Sequence, residues 1–403
     1  MPGNGPRIFL SAGEASGEHY GTLLIAALRR LLSNAQFFGL GGRRMEVLGF
    51  RPIVRSEDVA VIGITEVVRH MPRIYGEYRR LRASIAREMP DIAILIDFPD
   101  VNLSLARHLK RQNVPVIYFV SPQLWAWKKY RIRSVQRYVD RMLVIFPFEE
   151  RFYDDHSVAA EFVGHPLAEL EPPRITREDF AGESGIDSSK IWVGLLPGSR
   201  GKEIRLNLPE MIHAAGILGQ NQNPGYEFLL PLAPTLTGPQ RHHIGSLISQ
   251  LTAAQPFPPH ITVVDDARAV LHHARASIVA SGTATVEAAL IGNPFLVVYR
   301  VSPLSYAVAK QVVNVPHVAM VNLIAGKRVV PELIQGDFTA DQVVSQLRPL
   351  LEQDEVRARM QTSLRQVAAM LRAEQGAIDR VARVTCQMLQ QRKERTSPVP
   401  TGG

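Results

Sequence analysis

The chain has 403 residues, 46% of them hydrophobic and 21% charged, too many for one ordinary core, so two domains of under about 200 residues each are expected. Its single cysteine, Cys386, excludes an internal disulfide and any CxxC metal or redox site. The formal net charge of +8 calls for an acidic partner. With no zinc spacing, RNP-type aromatic signature or basic tail, nucleic acid is disfavoured, and a phosphorylated substrate or an anionic membrane surface is expected. No apolar run reaches the roughly 18 residues of a spanning helix. The N-terminus lacks the charged leader and cleavage site of a signal peptide, so the chain reads as cytoplasmic.

Short apolar runs alternate with amphipathic stretches throughout, the signature of βα units and a parallel sheet. The first series of expected strands is Ile8–Ser11, Gln36–Leu40, Ile92–Asp97, Val116–Val120, Arg141–Ile145 and Ala160–Val163. The second is Trp192–Leu196, Glu227–Pro231, Ile261–Val264, Ala276–Ala280 and Phe295–Tyr299. Between them lies the stiff, polar Glu171-Pro172-Pro173-Arg174. The expected fold is α/β, with two doubly wound, Rossmann-like parallel-sheet domains facing a cleft. Residues 1–170 form the N-terminal domain and 171–392 the C-terminal one. The last helices pack either on the second domain, back on the first or on a partner. Residues 393–403 lack apolar periodicity and read as a disordered tail.

In the first strand-to-helix turn, Ser11 to Glu18 (SAGEASGE), small residues allow close approach, but the dinucleotide fingerprint GxGxxG is absent. A carboxylate at Glu14 would repel a pyrophosphate, so a sugar hydroxyl is its expected partner, with a solvated turn as the alternative. Phe38–Met45 is a second glycine-rich loop.

The segment Ile92–Asn102 (IAILIDFPDVN) is sharper. A carboxylate leaving an apolar strand has its charged form disfavoured, which is how a general base is tuned. Asp97 is read as that base and Asp100 as a helix N-cap. Next, Tyr118–Lys128 carries Trp125 and Trp127 beside Lys128, Lys129, Arg131 and Arg133. Sugar stacking or phosphate contact and plain core packing remain equal alternatives.

Two anion sites are expected in the second half. Gly198-Ser199-Arg200 offers free amides, a hydroxyl and a guanidinium after a strand. Ser281-Gly282-Thr283 opens a helix in the same manner, with Glu287 one turn inside, where a ribose diol could bind. Together they point to a nucleotide diphosphate. His242-His243 and His272-His273 are adjacent pairs whose side chains diverge on a helix, so no metal and no cofactor are expected.

The segments SAGEASGE, IDFPDVN, YFVSPQLWAWK, FPFE, FVGHPLAE, LLPGSRGKEI, SGTATVEAAL and VNLIAGK occur in the order found in lipid-A-disaccharide synthases. The chain resembles that family from about Ile8 to Leu389. The resemblance implies a GT-B fold and a metal-independent, inverting transfer from UDP-2,3-diacylglucosamine to 2,3-diacylglucosamine 1-phosphate. It implies Asp97 as the base, Glu14 at the acceptor-side turn, Arg200 at the phosphate, Glu287 at the nucleotide and Asn322, in the VNLIAG-like stretch, among the substrate- or UDP-binding residues. It further suggests a homodimer through the C-terminal part and a peripheral place on the inner face of the inner membrane. Another UDP-GlcNAc-type transferase or an epimerase of the same fold is the alternative. From Ile64 to Ile85, Val67, Val68, Met71, Ile74, Tyr78, Leu81 and Ile85 fall at helical spacing among arginines. This basic amphipathic segment is the expected membrane contact, with a helix packed on the N-terminal domain behind a solvated basic face as the alternative and Pro72 a potential break.

Overall fold

The structure, a computed structural model, describes residues 5–57, 67–220, 225–303, 306, 310 and 315–396, and only the backbone of residues 15, 67–74 and 396. The chain divides into two compact units, residues 1–169 with 371–403 and residues 170–370. The first holds a seven-stranded sheet and the second a six-stranded one.

In the first unit the strands are β1 (Arg7–Ala12), β2 (Gln36–Gly41), β3 (Phe50–Arg55), β4 (Ile92–Ile96), β5 (Val116–Phe119), β6 (Arg141–Val144) and β7 (Ala160–Phe162). Their spatial order is β3-β2-β1-β4-β5-β6-β7 and every pair is parallel. The second unit contains β8 (Ile191–Leu196), β9 (Tyr226–Pro231), β10 (Ile261–Val264), β11 (Ala276–Ala280), β12 (Phe295–Tyr299) and β13 (Glu332–Ile334). Their order, β10-β9-β8-β11-β12-β13, is again fully parallel. Parallel strands covered by helices on both faces need side chains that are apolar on both faces. Ile92–Ile96 meets that requirement with every residue buried.

Every expected strand forms, and two were missed. β3 carries Arg51, Pro52 and Arg55 and lies at a sheet edge, where charge and a missing amide donor are tolerated. β13 is only three residues long.

The C-terminal helix Ala377–Thr396 belongs to the first unit, where it packs on the helix Ala15–Leu31. It continues to Thr396, into the stretch 393–403 expected to be disordered; residues 397–403 lie outside the described ones.

The helix Val67–Glu88 runs through Pro72 without a break. Its later apolar positions are core rather than a membrane face: Leu81 and Ile85 are buried with Phe9 and Val54, and Tyr78 packs against them. Ile64, and the side chains of Val67, Val68, Met71 and Ile74, lie outside the described residues. Among the described residues, no helix is long and apolar enough to cross a membrane.

Candidate active site

The strand order of the first sheet reverses between β1 and β4, and ligands of open α/β sheets bind beyond the carboxyl ends of strands at such a switch point. The register pairs Ser11 with Leu95 and Ala12 with Ile96, so the segments carrying Glu14 and Asp97 leave the sheet side by side. Gly13 is required there, since a Cβ would lie 2.3 Å from the Phe98 ring. Asp97 and Phe98 adopt left-handed backbone conformations with φ of 48° and 49°. For non-glycine residues this costs roughly 1–2 kcal/mol each, so surrounding bonds must hold the turn. The Asp97 amide donates to the Phe119 carbonyl at 3.0 Å, and the Tyr118 hydroxyl donates to the Asp97 carbonyl at 2.7 Å.

The Asp97 carboxyl is half-buried and its pKa is pushed up to about 6, chiefly by burial and then by the negative charge of Glu14, with the Phe98 amide opposing. Glu14 is the N-cap residue of the helix Ala15–Leu31, yet its side chain makes no capping bond. Its carboxylate is thus not spent on the helix. Two carboxylates with different environments at one strand switch point are an arrangement capable of acid–base chemistry.

Asp100 differs from expectation. Phe98 occupies the N-cap position of the helix Pro99–Arg111, and Asp100 sits in its first turn. There its carboxylate pairs with Arg131 and, at 3.8 Å, with Lys128. The Lys128 ammonium also lies 4.2 Å from the centre of the exposed Trp127 ring. Trp125 instead donates its indole N–H to Glu149 Oε1 at 3.1 Å.

Sequence reasoning missed two residues here. Glu149 is buried, its Oε2 accepts from the Phe146 amide at 3.2 Å, and burial pushes its carboxyl up to about 8. The signal was the Phe-Pro-Phe-Glu helix start, with proline in the first turn and a glutamate three residues after the cap. Asn102 is buried with its amide wholly engaged at the ends of β1 and β4. His165 is buried beside Phe146 and held neutral, its pKa lowered to about 4.

The second sheet has its switch point between β8 and β11. Gly198, Ser199 and Arg200 follow β8, and Gly198 has a φ of 119° that favours glycine. The Pro197 carbonyl is anchored by Asn207 Nδ2 at 2.9 Å. The anion position at the start of the helix Gly201–Gly219 is taken internally. Glu203 Oε2 accepts from the amides of Ser199 and Arg200 at 3.3 and 3.4 Å, and Glu203 Oε1 accepts from the Arg200 guanidinium at 3.2 Å.

After β11, Ser281, Gly282 and Thr283 lead into the helix Thr283–Ile291, whose N-cap Gly282 has no side-chain bond to offer. Gly282 and Thr283 are exposed, so these amides are accessible donors to an anion. Glu287 lies one turn after Thr283 on the same helix face. It is half-buried; burial raises its pKa, Arg268 opposes and Asp266 adds to the rise.

Asn322, expected at the nucleotide, is fully buried within the fold. Its Nδ2 donates to the Val330 carbonyl at 3.0 Å and to Glu332 Oε1 at 2.7 Å, while its Oδ1 accepts from the amides of Val329 and Val330. Glu332 in turn accepts from the amides of Val318 and Ala319. Among the described residues, no three His, Cys, Asp or Glu side chains gather as metal ligands would.

Solved structures share this fold at low sequence identity. The Staphylococcus aureus MnaA–UDP complex matches with a TM-score of 0.61 at 12% identity, over 98% of this chain and 100% of that one. A UDP-GlcNAc 2-epimerase from Neisseria meningitidis bound to UDP-GlcNAc matches at 0.59 and 12% identity, over 96% of this chain and 100% of that one. Both units are Rossmann-like, the GT-B type of architecture. Curated relatives are far more similar. The lipid-A-disaccharide synthase of Acidobacterium capsulatum is 67% identical over 96% of this chain and 97% of its own length. That of Koribacter versatilis is 49% identical over 96% of this chain and 99% of its own. The family model for lipid-A-disaccharide synthetase matches residues 8–385. The chain therefore belongs to the lipid-A-disaccharide synthase family, glycosyltransferases that form the disaccharide of lipid A.

Proposed function

We propose that the chain transfers the 2,3-diacylglucosaminyl group of a UDP-linked donor to the 6-hydroxyl of 2,3-diacylglucosamine 1-phosphate, with inversion. Asp97 accepts the hydroxyl proton as the C1–O bond to the acceptor forms. The bond from C1 to the diphosphate oxygen breaks with its electron pair leaving on UDP, through an oxocarbenium-like transition state. The amides of Gly282 and Thr283 in the Ser281–Thr283 turn, with the Arg200 guanidinium, receive the charge growing on the leaving diphosphate; the Ser281 amide is held by the Val298 carbonyl. Glu287 accepts from the ribose hydroxyls, and Glu14 orients the acceptor sugar. Gly198 and Ser199 shape the Arg200 turn, and Asn322 acts through Glu332 rather than on the nucleotide.

The observation that carries this reading is the Asp97 carboxyl, raised to about 6 by burial and by Glu14 at a strand switch point. A base tuned near the working pH is mostly ionised at pH 7 and still takes a proton readily. Both substrates carry acyl chains whose transfer to water costs about 0.8 kcal/mol per CH₂. The enzyme therefore works against the lipid surface, at the inner face of the inner membrane, with the start of the helix Val67–Glu88 as its contact.

Incubating the protein with both acylated sugars and reading the products by mass spectrometry tests the reading. A disaccharide 1-phosphate and UDP should form, including in excess EDTA. The Asp97→Asn variant should bind UDP normally and lose roughly 10²–10⁴ in rate. UDP released from the donor without any acceptor would favour an epimerase-like reaction instead.

A further inference from the structure

The Asn102 side chain joins two strands at the site. Its Oδ1 accepts the Ser11 hydroxyl at 2.6 Å at the end of β1. Its Nδ2 donates to the carbonyls of Ile96 at 3.1 Å and Asp97 at 2.7 Å at the end of β4, and approaches the Ser11 carbonyl at 3.5 Å. Ser11 and Asn102 are both fully buried, so water does not compete for these bonds. Only an amide satisfies this position, because it must accept from a hydroxyl on one side and donate to carbonyls on the other. A carboxylate there would meet the carbonyls with like polarity.

The bonded carbonyls belong to the residues at which the backbone enters its left-handed turn, with Asp97 and Phe98 at φ of 48° and 49°. A conformation of this kind persists only when neighbouring bonds over-determine it. On the opposite side, Ser11 lies three residues before Glu14, so the same amide fixes the start of the turn that carries the second carboxylate.

We propose that Asn102 is the positioning residue of this active site: by clamping the ends of β1 and β4 it holds the Asp97 turn and sets the placement of Asp97 against Glu14. The inference rests on the reading of Asp97 as the general base. Asn102 touches neither substrate nor reacting atoms; it acts through the main chain of Asp97. The groups that bear on the Asp97 carboxyl are Glu14 from the β1 turn and the Phe98 amide. The Tyr118 hydroxyl of β5 donates to the Asp97 carbonyl, and the Asp100–Arg131 pair joins the helix Pro99–Arg111 to the short helical turn Lys129–Arg131.

The test is kcat against pH for Asn102→Ala and Ser11→Ala in the full chain, with UDP affinity measured alongside. Asn102→Ala should lower kcat at least tenfold with little change in KM or UDP affinity. Its acid limb should move down by half a pH unit or more, as the Asp97 turn relaxes away from Glu14 and gains solvent. Ser11→Ala removes the β1 half of the clamp alone. It should move the limb the same way by less, and it decides the matter if Asn102→Ala fails to fold. A folded variant whose acid limb stays at the native position overturns the proposal, whatever its kcat, because loss of stability alone does not change the proton affinity of Asp97. Asp97→Asn, run beside them, separates the two ideas. If it turns over like the native enzyme, the base reading fails; if it is dead while both clamp variants keep the native profile, only the clamp fails.

Discussion

Arg200 and Glu203 are bonded twice, guanidinium Nη1 to Oε1 at 3.2 Å and main-chain amide to Oε2 at 3.4 Å. Glu203 thereby fills the place at the start of the helix Gly201–Gly219 where an incoming phosphate would find its donors. The Arg200 side chain is 76% exposed, and an exposed pair of this kind is worth under about 1 kcal/mol. A diphosphate can therefore take Arg200 from Glu203 at little cost.

Opposite effects on UDP affinity are expected from the two partners. Arg200→Ala removes a charge-assisted donor and should weaken binding about tenfold. Glu203→Gln keeps a capping oxygen for the Arg200 amide but removes the competing charge, and should tighten binding severalfold. Calorimetry with UDP checks both; weaker binding in Glu203→Gln would mean that Glu203 serves the nucleotide rather than competing with it.

The pH profile depends on Glu14. A base at Asp97, as proposed, acts only when ionised, so kcat should rise with pH through about 6, the value to which burial and Glu14 bring its carboxyl. Glu14→Gln removes the like charge that adds to the rise. Its acid limb should shift to lower pH, toward but not reaching the ordinary carboxylate range, because burial remains. A limb that stays in place would show that the Glu14 charge does not reach Asp97.

Glu149 sets a pH dependence of stability. Burial raises its carboxyl from an ordinary 4.5 to about 8, so the protonated form is favoured in the fold. The contribution it makes is fully present below about 4.5 and is lost as pH rises through 8, at about 1.4 kcal/mol per unit. Glu149→Gln removes the charge and keeps one acceptor oxygen, for either the Trp125 indole or the Phe146 amide. Thermal unfolding should show this variant gaining on the native chain as pH goes from 5 to 8. A difference independent of pH would show that Glu149 keeps one charge state throughout.

Membrane attachment is expected at the start of the helix Val67–Glu88, since its later stripe residues Leu81 and Ile85 are committed to the core. Changing Val67, Val68 and Met71 together to Ser should reduce sedimentation with anionic liposomes while UDP affinity stays. Added salt should reduce it further, as exposed arginines such as Arg79 and Arg80 lose their pull. Aggregation of the triple variant would assign these residues to the core and move the contact elsewhere.

The sequence by itself determined the two sheets and the strand ends at which the site is proposed. Apolar runs such as Ile92–Ile96 fix buried parallel strands, and a polar or glycine-rich break after such a run marks a strand end, where ligands bind. Both signals are local and survive without knowledge of neighbours. The Asp97 and Ser281–Thr283 segments were legible for that reason. Strand β3 was not, because an edge strand needs neither continuous apolarity nor all of its amides.

Only the tertiary structure decided which polar residues are spent on partners within the fold. Asp100 read as a cap and proved to be the partner of Arg131, 31 residues on. Asn322 proved to be spent on Val330 and Glu332. Asn102 gained its importance from Ser11, 91 residues before it. The helix Ala377–Thr396 joined the unit that begins the chain, although in sequence it follows the whole second unit. Periodicity reports how a segment partitions between water and core, whereas the partner of a buried donor or acceptor is set by which strands lie side by side. That pairing is a long-range contact, and no pattern within a single segment carries it.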